Sequence, residues 1–576
     1  MRPPPSIHRP IGVATLAGLR LGALVSVSTL ALAGDITGSV LERATGQGVP
    51  RAIVTVKEVG SGTVAGTGAT DDLGHYAIRI PSAGTFRLEV SKLSFEPGMD
   101  SEEVALAEVT SKQTVDVSIS REVPVEKTSK ESPLTLSWAT GKGKSYVIPA
   151  LEIPAFLFLL NQYDRRAYPG LMEDGEKVYS PTLSTFRDHA LHGPWVIDKD
   201  NFAMNQFNHP YGGTVYHGFA RSAGLTYWES LAYDNVGSLL WELGGETTKP
   251  SINDQIATGT GGSFLGEALF RMSSLMLEGD GGEPGFWRKL GATLLAPSAG
   301  FNRYVFGDRF KPLFPSYDPA LFWRLQVGEN LTALQDQGVS GTIKHSTATT
   351  DFSLAYGLPG KSGYSYERPF DYFNFQLTTL GNRSNPVDNI MIRGLLLGTA
   401  YEAGESYQGI WGLYGGYDYI SPQIFRVSST SVSVGTTFQW WLASKLALQG
   451  SALGGVGYAA AGNVTQVGDR DYHYGVAPQA LLALRLIFGD RVMLDLTGRQ
   501  YYVTGTGGND PGGKEAITRL NLGLTVRVYR THALGIQYIA STRDASYPDR
   551  IDSHQKVGTL SLVYNLLGHT GFGVVR

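Results

Sequence analysis

From Asp198 the chain reads DKDNFAMNQFNHPYGGTVYHGFARSAGLTYWESLAYDNVGSLLWELGGETTKPSINDQ, and in and just beyond this stretch lie the side chains best suited to chemistry: His209, Arg221, Ser230, Glu242, Glu246, Asp254 and Glu267. On a helix Glu242 and Glu246 share one face, as do Ser238 and Glu242, and Glu267 and Arg271 have the spacing of an intrahelical ion pair. Paired carboxylates with His209 as a third ligand could hold a divalent cation. The companion Glu-x-x-His pattern is missing, so neither a metal nor a cofactor is expected. Serine hydrolysis would need Ser222 or Ser230 as nucleophile, His209 as base and an acid to orient it. No Gly-x-Ser-x-Gly elbow is present to present such a serine. The remaining reading is that these polar groups satisfy one another where helices cross. Burying an unpaired charge is costly, so Arg221, Glu229, Glu242, Glu246, Glu267 and Arg271 are expected in hydrogen-bonded pairs. The structural reading is favoured, and the question of an enzyme stays open and leans to no.

The elements that carry these residues are helical. Between Tyr146 and about Leu295 the apolar residues recur at helical period, as in LTYWESLAYDNVGSLLWELGGE and SFLGEALFRMSSLML, and four or five helices are expected over 138–300. Pro210 suits a first helical turn, with Asn208 or His209 as its cap, and Ser251 with Asp254 suits another helix start. The glycines among these helices, Gly213 and Gly262 included, allow close helix approach.

From Phe322 to Leu567 the period changes to two. In SVSVGTTFQWWLA the even positions, Val432 to Leu442, are mostly apolar and the odd ones mostly small or polar; RLNLGLTVRVY and TLSLVYNL alternate in the same way. Segments of this kind, separated by polar turns and carrying aromatics near their ends, are the pattern of transmembrane β-strands, and roughly twelve are expected in a barrel over 301–576. The last clear strand ends near Leu567, and a short tail follows it.

The first 33 residues place Arg2, Arg9 and Arg20 before the apolar run LGALVSVSTLAL and the small-residue site Ala31-Leu32-Ala33, the order of a cleaved secretory signal over 1–33. The next segment, 34–120, alternates short apolar runs with Gly, Pro and Asp turns and reads as a small β-sandwich. In its turn Thr70-Asp71-Asp72-Leu73-Gly74, Asp72 is expected to cap, Gly74 to take positive φ and Tyr76 to begin an inward face. The elements I-x-G-x-V near Ile36, that turn, and the Pro81 to Gly84 turn resemble the carboxypeptidase regulatory-like domain, a prealbumin-like sandwich. Residues 121–137 are polar and proline-punctuated, a linker. A net charge of −4 without a basic stripe argues against nucleic acid as a partner, and the absence of cysteine excludes disulfides, a Cys nucleophile and a lipid-modified Cys.

The helical segment carries W-x-x-D-x-D at Trp195 to Asp200, N-Q-F-x-H-P-Y-x-G at Asn205 to Gly213, A-R-S-x-G at Ala220 to Gly224, W-E-x-x-x-E at Trp241 to Glu246, P-S-I-N-D at Pro250 to Asp254 and G-E-x-x-x-R at Gly266 to Arg271. With the downstream phrase GLYGGYDYISPQIFRVSS, this set resembles the DUF3943 family. The resemblance implies a Gram-negative envelope protein, an outer-membrane barrel with a helical insert, and supplies no activity. The expected fold is therefore mainly β: an N-terminal β-sandwich and a C-terminal transmembrane β-barrel, with a helical insert between them. The expected location is the outer membrane, with the N-terminal domain in the periplasm. Membrane lipid is the expected partner, together with other envelope proteins through the N-terminal domain. A structural or envelope-maintenance role is favoured, with a lipid-active enzyme or a transport channel as alternatives.

Overall fold

The computed structural model describes residues 34–574 apart from 44, 60–62, 81–83, 93–102, 107–111, 120–134, 174, 199, 280–283, 337–341, 362, 383–385, 405 and 465–469. The expected signal over 1–33, and nearly all of the expected linker, lie outside the described residues. The chain divides into two compact units, 1–123 and 124–576.

Among the described residues the first unit has eight strands: β1 Gly34–Glu42, β2 Ile53–Glu58, β3 Val64–Ala69, β4 His75–Ile80, β5 Gly84–Ser91, β6 Glu103–Leu106, β7 Lys112–Thr114 and β8 Val117–Ile119. They form two sheets, β4-β1-β7 with β8 also on β1, and β3-β2-β5-β6. β1, β2, β4, β5 and β8 contribute alternate residues, such as Ile36, Val40, Val54, Val56, Ile78, Ile80, Leu88 and Val90, to one core. Gly74 has φ 84°, and Tyr76 turns inward to donate to Val115 O at 2.7 Å. The turn is capped by Asp71 rather than the expected Asp72: Asp71 Oδ1 accepts from Leu73 N and His75 N, at 2.9 and 2.8 Å. Two adjacent acids look alike in sequence, and only the one that begins the turn can reach forward to both amides.

In the second unit, twelve antiparallel strands close a barrel, each paired with its sequence neighbour and the last with the first. They are β11 Leu321–Asp336, β12 Ile343–Tyr356, β13 Phe373–Leu380, β14 Val387–Ala403, β15 Tyr407–Ile420, β16 Phe425–Ala443, β17 Leu446–Asn463, β18 Tyr472–Phe488, β19 Val492–Val503, β20 Lys514–Tyr529, β21 His532–Ser546 and β22 Ser553–Leu567. A two-residue ribbon, β9 Met172–Glu173 with β10 Glu176–Lys177, precedes them. Alternation sets the two faces of the wall. On β16, Val432 and Val434 are 43% and 54% exposed, whereas Ser431 and Ser433 are 4% and 5% exposed and point inward. Leu522, Leu524 and Val526 on β20, and Leu560, Leu562 and Tyr564 on β22, extend the apolar outer band.

The lumen is packed with side chains. At its middle Asp418 lies between Arg393 and Arg499, and Asp495 accepts from both Arg324 and Arg485 at 2.8 Å. Nearer the β18–β20 rim, Arg543 makes a two-pronged pair with Glu515, at 2.6 and 2.7 Å. Apolar layers lie beyond the ion pairs, Phe322, Tyr372, Leu395 and Tyr414 toward one end and Ile420, Phe425, Val427 and Val503 toward the other. The tail after Leu567 turns back into this packing: Phe572 is buried beside Phe322, and Gly573 O accepts from Gln449 Nε2 at 3.2 Å.

Eight α-helices are described before the barrel, more than the four or five expected: α1 Val147–Ala167, α2 Leu183–Leu191, α3 His209–Ser222, α4 Tyr227–Gly244, α5 Ile252–Asp254, α6 Gly262–Glu278, α7 Phe286–Leu295 and α8 Pro297–Val305. Helical structure continues past residue 300, and the first barrel strand opens at Leu321. Two π-helical turns, Met204–Asn208 and Gln255–Gly261, run directly into α3 and α6. Asn208 therefore has helical φ and ψ and makes no side-chain cap, contrary to the expected start at Pro210. Ser251 does cap, accepting from Asp254 N at 3.2 Å.

These helices lie on the outside of the barrel wall, not in its lumen. The wall residues that they cover have outward parity: Tyr356, Phe373, Ile392, Tyr417 and Tyr474 are all buried in the core that also holds Phe202, Phe264 and Leu265 from the helical segment. Glycine opens the socket. Gly394 and Gly415 pair across β14 and β15, and a Cβ at either would meet a ring at 2.3–2.4 Å, Phe370 for the first and Phe264 of α6 for the second. At this pair of glycines on the outer wall, aromatic rings press onto the bare backbone.

Candidate functional site

The helical bundle holds a buried charge cluster built from α3, α4, α6 and the β12–β13 connection. α4 begins at a capping box, in which Thr226 Oγ1 accepts from Glu229 N and Glu229 Oε2 accepts from Thr226 N. That start sets the helix phase that turns Asp234 inward. His217 and Arg221, one turn apart on α3, face Glu267 of α6: His217 Nε2 is 3.0 Å from Glu267 Oε2, and Arg221 Nε donates to the same oxygen at 2.7 Å. His217 Nδ1 lies 2.7 Å from Asp234 Oδ2. Arg271 donates to Glu267 Oε1 at 2.9 Å and to Asp371 Oδ1 at 3.0 Å. Asp371 also accepts from Arg368 Nε at 3.1 Å. The Arg221 guanidinium is walled by the Phe270 and Phe314 rings, at 4.9 and 4.7 Å.

Both ring nitrogens of His217 face carboxyl oxygens, an arrangement that the imidazolium satisfies when both acids are ionised, since it donates from both. Burial opposes that charge, but Asp234 and Glu267 outweigh it and the pKa is pushed up to about 9. Glu267 is held well below the ordinary carboxylate range, burial being overcome by Arg221, His217 and Arg271. Among the described residues, Asp234 Oδ1 and Ser230 Oγ, one turn apart on α4, are buried without a hydrogen-bond partner.

A second group lies where the two π-helical turns meet the wall. His209 Nδ1 is 3.1 Å from Thr258 Oγ1, and its Nε2 is 3.8 Å from Asp254. Glu242 accepts from Ser251 N at 2.6 Å. Asn205 Nδ2 donates to Asp198 Oδ1 and to Tyr472 OH, at 3.3 and 3.0 Å, and Asn253 Nδ2 donates to Tyr474 OH at 3.0 Å. Burial pushes His209 down to about 4, so its imidazole is neutral near pH 7. Burial, with Asp198 and Asp200 nearby, pushes Glu246 up to about 8.

Of the residues singled out in sequence, the structure brings Arg221 and Glu267 together, with Arg271 as expected, and it sets His209 beside Asp254. Ser230 is not brought to His209, and Ser222 Oγ is bonded to Phe219 O and Asn302. Glu229 pairs with Lys144 at 2.7 Å. Glu242 and Glu246 are hydrogen-bonded to neutral groups, Glu242 to Ser251 N and Glu246 to Thr248. Among the described residues, no group of three or more His, Asp or Glu side chains is placed to hold a metal ion. Sequence reading passed over His217 and Asp234, the centre of the cluster. The available signal was the i, i+4 spacing of His217 with Arg221, the same spacing that marked Glu267 with Arg271.

Above about pH 6.5 the titrations of His217 and Glu246 act in the same direction. A group whose folded pKa lies above its unfolded value stabilises the fold at low pH and loses that contribution as pH climbs through the folded pKa. The contribution of His217 is therefore full below about 6.5 and gone above about 9, while Glu246, raised to about 8, costs progressively more as the pH climbs to that value. Hydrogen exchange in α3 and α4, corrected for the intrinsic rate, is expected to speed up between pH 6.5 and 9. Unchanged protection across that window would mean that His217 is not held as the imidazolium.

Comparison with known proteins locates these features. No curated protein matches the chain. Among solved structures the chain is similar, at low identity, to the outer membrane channel DcaP of Acinetobacter baumannii, with 8% identity over 43% of this chain and 96% of that one and a TM-score of 0.22. The Pseudomonas putida toluene transporter TodX shows 10% identity over 44% and 92%, with a TM-score of 0.20. The 3-chlorocatechol 1,2-dioxygenase of Rhodococcus opacus 1CP shows 9% identity over 16% of this chain, with a TM-score of 0.13, and the chain spans 59% of its length. Residues 35–120 match the family model of the carboxypeptidase regulatory-like domain, and residues 194–298, which hold both buried groups apart from Phe314, Arg368, Asp371, Tyr472 and Tyr474, match that of the domain of unknown function DUF3943.

Proposed function

We propose that the protein is an outer-membrane barrel with a structural or envelope-maintenance role, whose helical bundle is seated against its lipid side. The observation that carries this reading is the wall itself, closed, apolar and exposed outside, polar and filled inside. Among the described residues no helix is long and apolar enough to cross a membrane. At the rim where β11 enters and β22 leaves, the turns 404–406, 444–445, 489–491 and 530–531 are each shorter than any connection at the other rim, while the β12–β13 connection, 357–372, is long. The short-turn rim, where β11 enters and β22 leaves, accordingly faces the periplasm. The N-terminal β unit is then a periplasmic adaptor toward other envelope proteins.

Membrane lipid is the partner of the bundle's far side. Helices that cover the outer face of spanning strands take the wall's place against acyl chains, and the outward residues of α1, Val147, Leu151, Phe158 and Leu159, recur on one helical face. Trp287 and Tyr304, 78% and 89% exposed, add amphipathic rings of the kind found at membrane interfaces.

Cell fractionation and heat-dependent gel migration test the barrel, and recovery in the soluble periplasm would sink it. Val434→Arg, on the outer band, is expected to cost about 2–4 kcal/mol of folding stability in bilayers. Ile551→Arg, in the connection after β21, should stay within about 0.5 kcal/mol. Equal effects of the two would remove the lipid-facing assignment.

A transport channel is the second reading, and a chamber of about 110 Å³ among the lumen side chains favours it. The wild-type chain is expected to show no steady conductance in planar bilayers, and a steady conductance would replace the structural reading with this one.

A further inference from the structure

We infer that the short-turn rim holds an anionic phospholipid by its phosphodiester, in a groove between the turns 444–445 and 489–491. The inference rests on the reading of the barrel as a membrane wall, and it concerns a different surface from the helices proposed above to face acyl chains.

The strand ends set the geometry. Leu446 of β17 pairs with Phe488 of β18, and Phe488 pairs with Val492 of β19. Ala447 and Ile487, the next pair along, are buried in the lumen packing, so Leu446 and Phe488 have outward parity. Phe488 is exposed, and Leu494 continues the exposed apolar face along β19. The two turns are tied together, since Gly489 N donates to Lys445 O at 2.7 Å. Between them lies an open groove of about 530 Å³, lined by Leu446 and Phe488 from the apolar band and by Lys445, Asp490 and Arg491 from the turns. That volume lies within the roughly 300–1,000 Å³ of small-molecule sites, ample for a lipid headgroup.

The charges of the groove leave a surplus of cations. Asp490 is answered by Arg527, which reaches both its carboxylate and its carbonyl oxygen. Lys445 and Arg491 are exposed, and among the described residues neither side chain has an ion-pair or hydrogen-bond partner. Arg527 N donates to Arg491 O at 2.8 Å, which joins the end of β20 to the same rim. There Arg530 lies over the Tyr529 ring, 5.2 Å from its centre, with no carboxylate of its own among the described residues.

Unpaired cations beside an outward apolar wall select an amphiphile with a negative head. A phosphodiester offers acceptor oxygens to Lys445 and Arg491, while its acyl chains continue along Leu446, Phe488 and Val492. A zwitterionic lipid is the poorer match, because its ammonium group would meet only Asp490, already taken by Arg527. Free phosphate has no part that would cover Leu446 and Phe488.

Native mass spectrometry of the full chain in dodecylmaltoside micelles tests this, with phosphatidylglycerol and phosphatidylethanolamine of the same acyl chains as probes. One phosphatidylglycerol per chain is expected to be retained at least tenfold more tightly than phosphatidylethanolamine in about 50 mM ammonium acetate. The preference should shrink several-fold in about 500 mM, where exposed charges are screened. K445Q and R491Q should each weaken phosphatidylglycerol about fivefold, the worth of one cation near a lipid surface. The double variant should bring it down to the level of phosphatidylethanolamine, with heat-dependent migration unchanged. K556Q, at an exposed position of β22 toward the other rim, should leave retention as it is. If the double variant fails to fold, the single variants and the salt series give the same reading. A heat-modifiable chain that retains both lipids alike, keeps its preference in the double variant, or exchanges the lipid for inorganic phosphate at equal concentration would overturn the inference alone. A chain without heat-dependent migration would fail the barrel reading first and take this inference with it.

Discussion

Glu267→Ala is expected to loosen the helical bundle more than any other single side-chain truncation in it. Glu267 is the carboxylate on which Arg221, Arg271 and His217 converge, at 2.7–3.0 Å, and all four side chains are buried. Removing one partner of a buried pair costs roughly 3–5 kcal/mol, because the charge left behind can neither be solvated nor easily neutralised. Here three cations are left behind, facing only Asp234 and Asp371. Glu267→Gln should also destabilise, since the amide turns a donor toward the guanidiniums. Asp308→Ala, which breaks an exposed pair with Lys311, should cost no more than about 1 kcal/mol. Hydrogen exchange over α3 and α6, with the temperature of the heat-dependent gel shift, distinguishes these outcomes. A Glu267→Ala variant that protects α3 as well as wild type would mean that the cluster is not what joins the helices.

Gly213→Val is expected to have the second largest effect, and its neighbour provides the control. A Cβ at Gly213 would lie 2.0 Å from Thr258 O and 2.8 Å from Gly262 Cα. Those are backbone atoms of the facing helix, so α3 and α6 must separate rather than repack. Overpacking a filled site costs about 1–3 kcal/mol and more where the backbone cannot move, and the His209–Thr258 contact should be lost with it. Gly212 meets nothing within 4 Å at the same Cβ position. Gly212→Val should therefore be neutral or slightly stabilising, because glycine inside a helix is itself unfavourable by roughly 0.5–1 kcal/mol relative to alanine. Equal effects of the two substitutions would show that the helices do not touch at Gly213.

The barrel was legible because alternation is a one-dimensional signal. Val432 and Val434 against Ser431 and Ser433 announce a wall with two solvents before any partner strand is known. The Glu267–Arg271 pair was legible for a similar reason, since both ends lie on one helix. His217 and Asp234 were not, because their pairing depends on how α3 and α4 cross, and Asp371 stands 100 residues along the chain from Arg271, in a connection that nothing marked as its neighbour. The start of α3 was misread at Pro210 because a π-helical turn ahead of it, Met204–Asn208, has no distinct periodicity in so few residues. The position of the helices outside the wall was hidden in a subtler way. Tyr417 and Tyr419 read as aromatics near strand ends, and only their burial shows that protein of the helical segment covers them.

The junction of Arg271 with Asp371 also has a consequence for time. Synthesis delivers α6 well before the β12–β13 connection, so for an interval the guanidinium exists without its second carboxylate and must be kept by water. A bundle that entered the bilayer during that interval would carry an unmatched charge into hydrocarbon, whereas one that waits for the strands arrives with the charge already answered. In the proposed seating against lipid, helices and barrel are thus obliged to go in together, and a chain cut between Val305 and Leu321, supplied as two pieces, should remain outside the membrane in its first piece until the second is present.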